Sequence, residues 1–466
     1  MAELRSSRRT FLSASAVAAV AAPMLGAEPA SAASKNGGGP RPQAPDRELR
    51  ALLREIDHRR IEATVRRLVA FGTRHTLSVQ DDPVRGIGAA RDWIFDQLQG
   101  FAAASAGRMT VAKQAFTQPA GGRIPTPTVI TNLVATIRGT ASPDRIYVVT
   151  GHYDSRVTDV LNGVDDAPGA DDDASGVAVV LELARILAAH PTEATVVLAA
   201  VAGEEQGLFG SAFLAQQMKA AGADVQAMFS NDIVGSSTDE KGNRDPFTLR
   251  LFVEGVPTSE TPQQASVRQN IGGENDGSSR QVSRFVSSVA SNRETGMNVR
   301  VVWRRDRYLR GSDHISFLQQ GYPALRFTEP AENFAHEHQD VRVENGVQFG
   351  DLIEFCDFAF MARVAKVNLA TVWSLAQAPG TPKRVVIDTA VLTNQSTLRW
   401  AANTEPDLAG YEVVWRETTA PDWEHVIAVG NVTTVTIDLA KDNVMFGLRA
   451  VDTTGHRSPV AFPLPG

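Results

Sequence analysis

Apolar residues recur every three or four positions early in the chain: Leu49, Leu52, Leu53 and Ile56, then Ile61, Val65, Leu68 and Val69. That period predicts amphipathic helices from residue 46 onward. Residues 88–99 repeat it, with Trp93, Ile94 and Leu98 turned inward. The middle of the chain then switches between two periods. Residues 145–150 read as a short apolar strand, 175–189 as a helix, and Ala194–Val201 as an almost wholly apolar strand, as expected where both sheet faces are covered. Residues 208–219 read as helix, 227–234 and 323–327 as strands, and 352–371 as a long final helix. This rhythm predicts an α/β domain with a mixed, mostly parallel central sheet flanked by helices. Residues 236–300 are polar and Gly/Ser-rich in parts, so loops and irregular excursions are expected around a strand at 249–253.

Past Gln377-Ala378-Pro379-Gly380-Thr381-Pro382 the pattern changes again. Short alternating segments at 397–400, 411–416, 432–438 and 445–451, separated by turn residues, predict an all-β sandwich. This part resembles a fibronectin type III domain: Trp400 matches its core tryptophan, Asp407-Leu408-Ala409-Gly410-Tyr411 its turn into the third strand, and Gly447-Leu448-Arg449-Ala450-Val451-Asp452 its closing strand. Phe446 stands where that family usually has a tyrosine, so the hydroxyl's bond is missing there. The expected division is a leader over 1–32, a Gly/Pro-rich linker over 33–45, an α/β domain over 46–375, a linker over 376–382 and the sandwich over 383–466.

Composition narrows the picture. With 466 residues, 43% hydrophobic and 21% charged, the chain has material for two or three soluble domains. A net charge of -7 leaves no basic footprint for nucleic acid. The single cysteine, Cys356, excludes an intrachain disulfide and reads as a buried structural thiol in an apolar run. Ser7-Arg8-Arg9-Thr10-Phe11-Leu12, an alanine-rich apolar stretch over 13–22 and the small residues Ala30-Ser31-Ala32 form a twin-arginine signal pattern. The expected location is therefore periplasmic or extracellular. The apolar stretch is too short to span a bilayer, and no integral membrane segment is expected in the mature chain.

Five segments place metal-capable side chains where predicted strands end, and ligands collect at the carboxyl ends of strands in open α/β sheets. His152, in Thr150-Gly151-His152-Tyr153-Asp154-Ser155, is a good zinc ligand, and Asp154 can hold its other ring nitrogen. Pro168-Gly169-Ala170-Asp171-Asp172-Asp173-Ala174-Ser175-Gly176 sets three aspartates before a helix. An N-cap explains Asp173 but does not require all three, and a bound dication would. Glu204 and Glu205 end a very apolar strand. One carboxylate of such a pair can ligate zinc while the other takes a proton from water. Asp232 lies at an apolar strand end and needs a partner, either a metal or an arginine. Asn333-Phe334-Ala335-His336-Glu337-His338-Gln339-Asp340 offers two histidines, either of which could ligate. Singly, these segments also read as a structural histidine, helix caps or a solvated loop. Together they form an oxygen-rich set for two borderline cations sharing a carboxylate.

Over roughly residues 46–375 these motifs resemble the co-catalytic di-zinc exopeptidases of the bacterial leucyl aminopeptidase and glutamate carboxypeptidase type. The resemblance implies two Zn2+ per chain, one held by His152, Asp172 and Asp232 and the other by Asp172, Glu205 and His336. It makes Asp172 the bridge, Glu204 the general base and Asp154 the carboxylate behind His152. The family's last histidine stands four residues before an acidic residue, which selects His336, ahead of Asp340, over His338. Gly311-Ser312-Asp313-His314 matches a stretch near the family's site, with Asp313 and His314 in supporting roles, while Tyr308 is one position out of register with the tyrosine some relatives use. The implied function is an exported zinc exopeptidase, an aminopeptidase first, acting on peptides with a free terminus. A carboxypeptidase or dipeptidase on the same metals, or a non-catalytic binding protein, are the alternatives. Arg304, Arg305, Arg307 and Arg310 could clamp an acidic substrate group or pair with acidic neighbours.

Overall fold

Seven small or branched apolar residues and Thr195 make up Ala194–Val201, and all eight are buried in the centre of a sheet, the Thr195 hydroxyl donating to the Pro143 carbonyl. The computed structural model describes Gly39 and residues 42–466; the expected signal pattern lies outside the described residues. The central sheet has eight strands: β1 (Met109–Gln118), β2 (Thr128–Ile137), β3 (Ser142–His152), β4 (Ala194–Val201), β5 (Asp224–Asn231), β6 (Thr248–Val253), β7 (Asn298–Val302) and β8 (Ala324–Thr328). Their order is β1-β2-β4-β3-β5-β8-β6-β7. The middle run β4-β3-β5-β8 is parallel throughout. The pairs β1–β2, β2–β4 and β6–β8 are antiparallel, so the sheet is mixed as expected.

Side chains of the central strands alternate between two cores, as strand geometry requires. Tyr147, Val149, Val196, Leu198 and Phe229 enter the larger one. Val148, Val197, Ala199, Val201 and Met228 enter the smaller one on the other face. The helices are α1 (Arg47–Glu55), α2 (His58–Val69), α3 (Gly86–Ala102), α4 (Ala174–Ala189), α5 (Glu204–Gly207), α6 (Phe209–Ala220), α7 (Pro262–Ile271), α8 (Ser278–Ala290), α9 (His314–Gln319) and α10 (Phe358–Gln377). The larger core lies under α1, α2, α3, α4, α8 and α10, and the smaller under α6 and α9. Among the described residues, no helix is long and apolar enough to cross a membrane.

Several elements differ from expectation. β5 ends at Asn231, three residues before the expected 234, because Ile233 takes a φ of 56°, which a strand cannot accommodate. The final helix starts at Phe358, where Asp357 caps it by accepting from the Phe360 amide; Ile353–Phe355 is a separate 3-10 turn. Residues 236–300 hold two helices and strand β7 rather than loops alone. Val282, Phe285, Val286 and Val289 give α8 a buried stripe at helical spacing. α7 has no buried residues and is set by the Thr261–Gln264 capping box.

After α10 come two small sheets. One joins Thr434–Ile437, Ser396–Arg399, Val386–Ile387 and Leu464–Pro465; the other joins His425–Gly430, Leu408–Glu417 and Val444–Asp452. They share a core that includes Leu398, Trp400, Val413, Ile437 and Leu448, which makes a β-sandwich. It is fastened to α8. Arg416 pairs with Asp276 at 2.7 Å, both buried, and Trp423 Nε1 donates to Gln281 Oε1 at 3.1 Å. Asp276 keeps a second, longer partner in Arg284 at 3.4 Å. Removing one member of a buried ion pair costs roughly 3–5 kcal/mol. Arg416→Met should therefore lower the unfolding free energy by about 3 kcal/mol in denaturant titration; an unchanged midpoint would show that this pair does not hold the sandwich.

Candidate functional site

The four parallel strands present their carboxyl ends on one edge, and each supplies part of one cluster. His152 is the last residue of β3, and its ring is 1% exposed. Its amide donates to Asp173 Oδ2 at 2.9 Å. Its Nδ1 lies 3.1 Å from the Asp154 carbonyl oxygen and 3.5 Å from Asp154 Oδ1. That turns Nε2 inward, 3.0 Å from Asp172 Oδ1 and 3.9 Å from Asp232 Oδ1.

The three aspartates before α4 have three different jobs. Asp173 caps the helix, accepting from the Gly176 amide at 2.9 Å. Asp171 accepts from the Gly235 amide at 2.6 Å and turns away from His152. Asp351 takes the amides of both Asp171 and Asp172 at 2.8 Å, which fixes the loop. Only Asp172 points its carboxylate into the cluster, with Oδ1 toward His152 and Oδ2 2.7 Å from His338 Nε2.

After β4, Gly203 takes a φ of 74°, and the chain turns at once into α5. Asp154 accepts from the amides of Glu204 at 3.4 Å and Glu205 at 3.2 Å, and from the Thr76 hydroxyl at 2.9 Å. It thereby positions His152 and the glutamate pair together. Glu205 Oε2 accepts from Arg156 at 2.8 Å, while its Oε1 sits 3.1 Å from His338 Nε2. Glu204 is half-buried on the cavity wall. Desolvation pushes its carboxyl well above the usual range, with Asp232, Glu205 and Asp313 adding to the rise and His152 opposing it.

Asp232 follows β5 and finds the arginine that the sequence left open. Arg326, fully buried on β8, lies 3.0 Å from Asp232 Oδ1 and 3.1 Å from Asp306. Burial alone would raise Asp232, but Arg326 and His152 hold its carboxyl well below the ordinary range. An arginine inside the apolar run Pro323-Ala324-Leu325-Arg326-Phe327 was the available signal for this partner.

The last histidine is a correction. His338, not His336, reaches the cluster, touching both Asp172 and Glu205. The His336 ring stacks on Phe355 with 3.4 Å between centroids and lines an adjoining hollow with Asp171, Asp172, Glu329 and Asn333, with no contact to Asp172 or Glu205 of the kind His338 makes. His338 takes a φ of 54°, so the chain reverses there and aims this ring inward. The count to Asp340 misleads because Asp340 is exposed and its carboxylate, among the described residues, accepts only from the Thr158 amide, at 3.2 Å. Tyr308 is 78% exposed with Arg304 over its ring, and does not line the cavity. Arg307 and Arg310 are paired, both with Glu332, and Arg310 also with Glu337.

Residues 132–345 match the model of peptidase family M28. A protein described as a probable zinc metalloprotease from Pyrenophora teres f. teres (strain 0-1) is 55% identical over 426 residues, covering 91% of this chain and 88% of its own. The chain belongs to peptidase family M28. A second such relative, from Pyricularia oryzae (strain 70-15 / ATCC MYA-4617 / FGSC 8958), is 54% identical over 430 residues, covering 91% of this chain and 86% of its own. Among solved structures, the LapA aminopeptidase of Legionella pneumophila is 20% identical with a TM-score of 0.49, over 71% of this chain and 75% of that one.

This M28 chain is thus a zinc-dependent metallopeptidase, and its donor set fits the metal. Asp172 Oδ1 and Glu205 Oε1 are buried without a hydrogen-bond partner, although each lies beside an imidazole nitrogen. The donor separations of 3.0, 2.7 and 3.1 Å approach the edge of a tetrahedral zinc site, about 3.3 Å. Among the described residues, two groups with ligand atoms within 4.8 Å of each other emerge, His152 with Glu204 and Asp232, and Asp172 with Glu337 and His338. Glu337 was not anticipated; its Oε1 lies 4.0 Å from His338 Nδ1, whereas Glu205 Oε1 lies 3.1 Å from Nε2, the nitrogen that faces Asp172. His338→Ala should lose zinc on dialysis while His336→Ala keeps the wild-type content, as read by metal analysis. The reverse result would return the ligand to His336.

Proposed function

We propose that this M28 peptidase is an exported exopeptidase using two zinc ions, and an aminopeptidase that hydrolyses the N-terminal peptide bond. One observation carries this reading: the two oxygens of Asp172 face two different histidines on the wall of a cavity of about 350 Å3. That volume is at the small end of ligand pockets, which suits the end of a peptide better than a segment running through. His152, Asp172 and Asp232 would hold one ion, and Asp172, Glu205 and His338 the other. Bound there, zinc supplies a water ionised near neutral pH and a Lewis acid for the scissile carbonyl.

The chain's own groups do the rest. Glu204 takes the proton of the attacking water on a carboxylate oxygen and delivers it to the leaving nitrogen. Asp154 positions Glu204 through its backbone. A carboxypeptidase or dipeptidase on the same site draws its support from the arginines that line the same cavity. Twin-arginine export belongs to this reading on the strength of Ser7-Arg8-Arg9-Thr10-Phe11-Leu12, and a fibronectin type III-like identity for the sandwich on that of Trp400 and residues 407–411.

Glu204→Gln should retain its zinc and lose roughly 10²–10⁴-fold in kcat; full turnover would remove Glu204 as the base. Aminoacyl amides should be cleaved when the α-amine is free and spared when it is acetylated. Cleavage that instead requires a free C-terminal carboxylate would move the assignment to carboxypeptidase.

A further inference from the structure

Four arginines line the cavity beside the Asp172 cluster: Arg123, Arg156, Arg307 and Arg310. Three are neutralised. Arg156 pairs with Glu205 at 2.8 Å, Arg307 with Asp306 and Glu332 at 3.1 Å, and Arg310 with Glu332 at 2.7 Å and with Glu337. Arg123 is different. Among the described residues its side chain makes one hydrogen bond, from Nη1 to the Glu205 carbonyl oxygen at 2.7 Å, and it has no carboxylate partner. Its other guanidinium donors are left for whatever enters the cavity.

The loop holding Arg123 is built to present it. Gly121 and Ile124 exchange both backbone hydrogen bonds, at 2.8 and 3.0 Å. Ile124 is fully buried, and Gly122 sits between them at a φ of 56°, where a side chain would be strained. The turn between β1 and β2 is therefore anchored on both sides of Arg123 in the chain. The bond to the Glu205 carbonyl anchors the guanidinium itself, one residue along from Glu204.

We infer that Arg123 is a specificity residue that binds a carboxylate of the peptide substrate, so that short peptides ending near the cleaved bond are preferred. Arg123 is exposed, and a guanidinium fork matches a carboxylate with two parallel hydrogen bonds. The carboxylate comes from the C-terminus of a dipeptide or tripeptide, or from an acidic side chain at the same distance. This inference rests on the exopeptidase reading for its substrate class, and its test works without turnover.

Dissociation constants are measured by calorimetry on zinc-loaded Glu204→Gln protein, with and without Arg123→Gln. The probes are Leu-Ala, Leu-Ala amide and Leu-Glu amide, and acetyl-Leu-Ala with its amide. Glutamine keeps a donor for the Glu205 carbonyl, so the loop retains its anchor. With Arg123 present, Leu-Ala should bind at least about tenfold tighter than its amide, on the scale of one charge-assisted hydrogen bond. Arg123→Gln should bring that ratio close to one, and Arg123→Lys should restore part of it. A ratio that appears instead for Leu-Glu amide over Leu-Ala amide, and is lost with Arg123, supports the same residue and assigns the carboxylate to a side chain. Acid-to-amide ratios unaffected by Arg123→Gln in every pair overturn the inference. The acetylated pair separates the two claims: equal dependence on Arg123 with or without the free amine keeps Arg123 as the carboxylate anchor while removing the aminopeptidase assignment.

Discussion

A carboxylate buried between two imidazoles is the constraint on which the rest of this fold depends. Asp172 is 5% exposed, and burying such a group is costly unless its charge is answered at close range. Around it the carboxylates fall into two kinds. Asp351, Asp173 and Asp154 are occupied by backbone amides, and so they hold the loops in place. Asp172 and Glu205 each keep a buried oxygen with no hydrogen-bond donor of its own. The first kind aims the second. Only a run of adjacent parallel strands brings His152, Glu205, Asp232 and the loop after β8 within reach of one aspartate, which explains why the sheet is parallel at its centre.

Arginines balance the charge that this arrangement concentrates. Arg326 sits between Asp232 and Asp306, where desolvation opposes the guanidinium's charge but the two carboxylates raise its hold on the proton. Arg156 bridges toward His338 and Glu205, and Arg307 and Arg310 share Glu332. Buried ion pairs add little net stability, so the consequence of this network is mainly geometric: it fixes where each carboxylate points. Arg123 lies outside that balance, and so it can serve a substrate instead.

Much of this could be read from residues alone, and the exceptions share a cause. β4 matches its expected bounds because a run that is apolar but for Thr195 has no alternative to a doubly covered strand. His152, Asp172, Glu204, Glu205 and Asp232, singled out from the residues, come together in one cluster because the loops that carry them all leave the same edge of the parallel strands. The antiparallel edge pair β1–β2 was not legible, since β1 exposes one face and carries too few apolar residues to stand out. Serines at 278, 279, 283, 287 and 288 diluted the stripe of α8. The choice between His336 and His338 failed for a different reason. Counting to an acidic residue measures distance along the chain, while the ring that reaches Asp172 is decided by a reversal at His338 that spacing does not encode.

The central claim is that Asp172 joins two metal positions of unlike composition. Anomalous diffraction at the zinc edge, on crystals of the zinc-loaded protein, tests it most directly. The account predicts two peaks about 3.5–4 Å apart, on either side of the Asp172 carboxylate, with His152 and Asp232 at one and Glu205 and His338 at the other. A single peak, or a second peak beside His336, would contradict it.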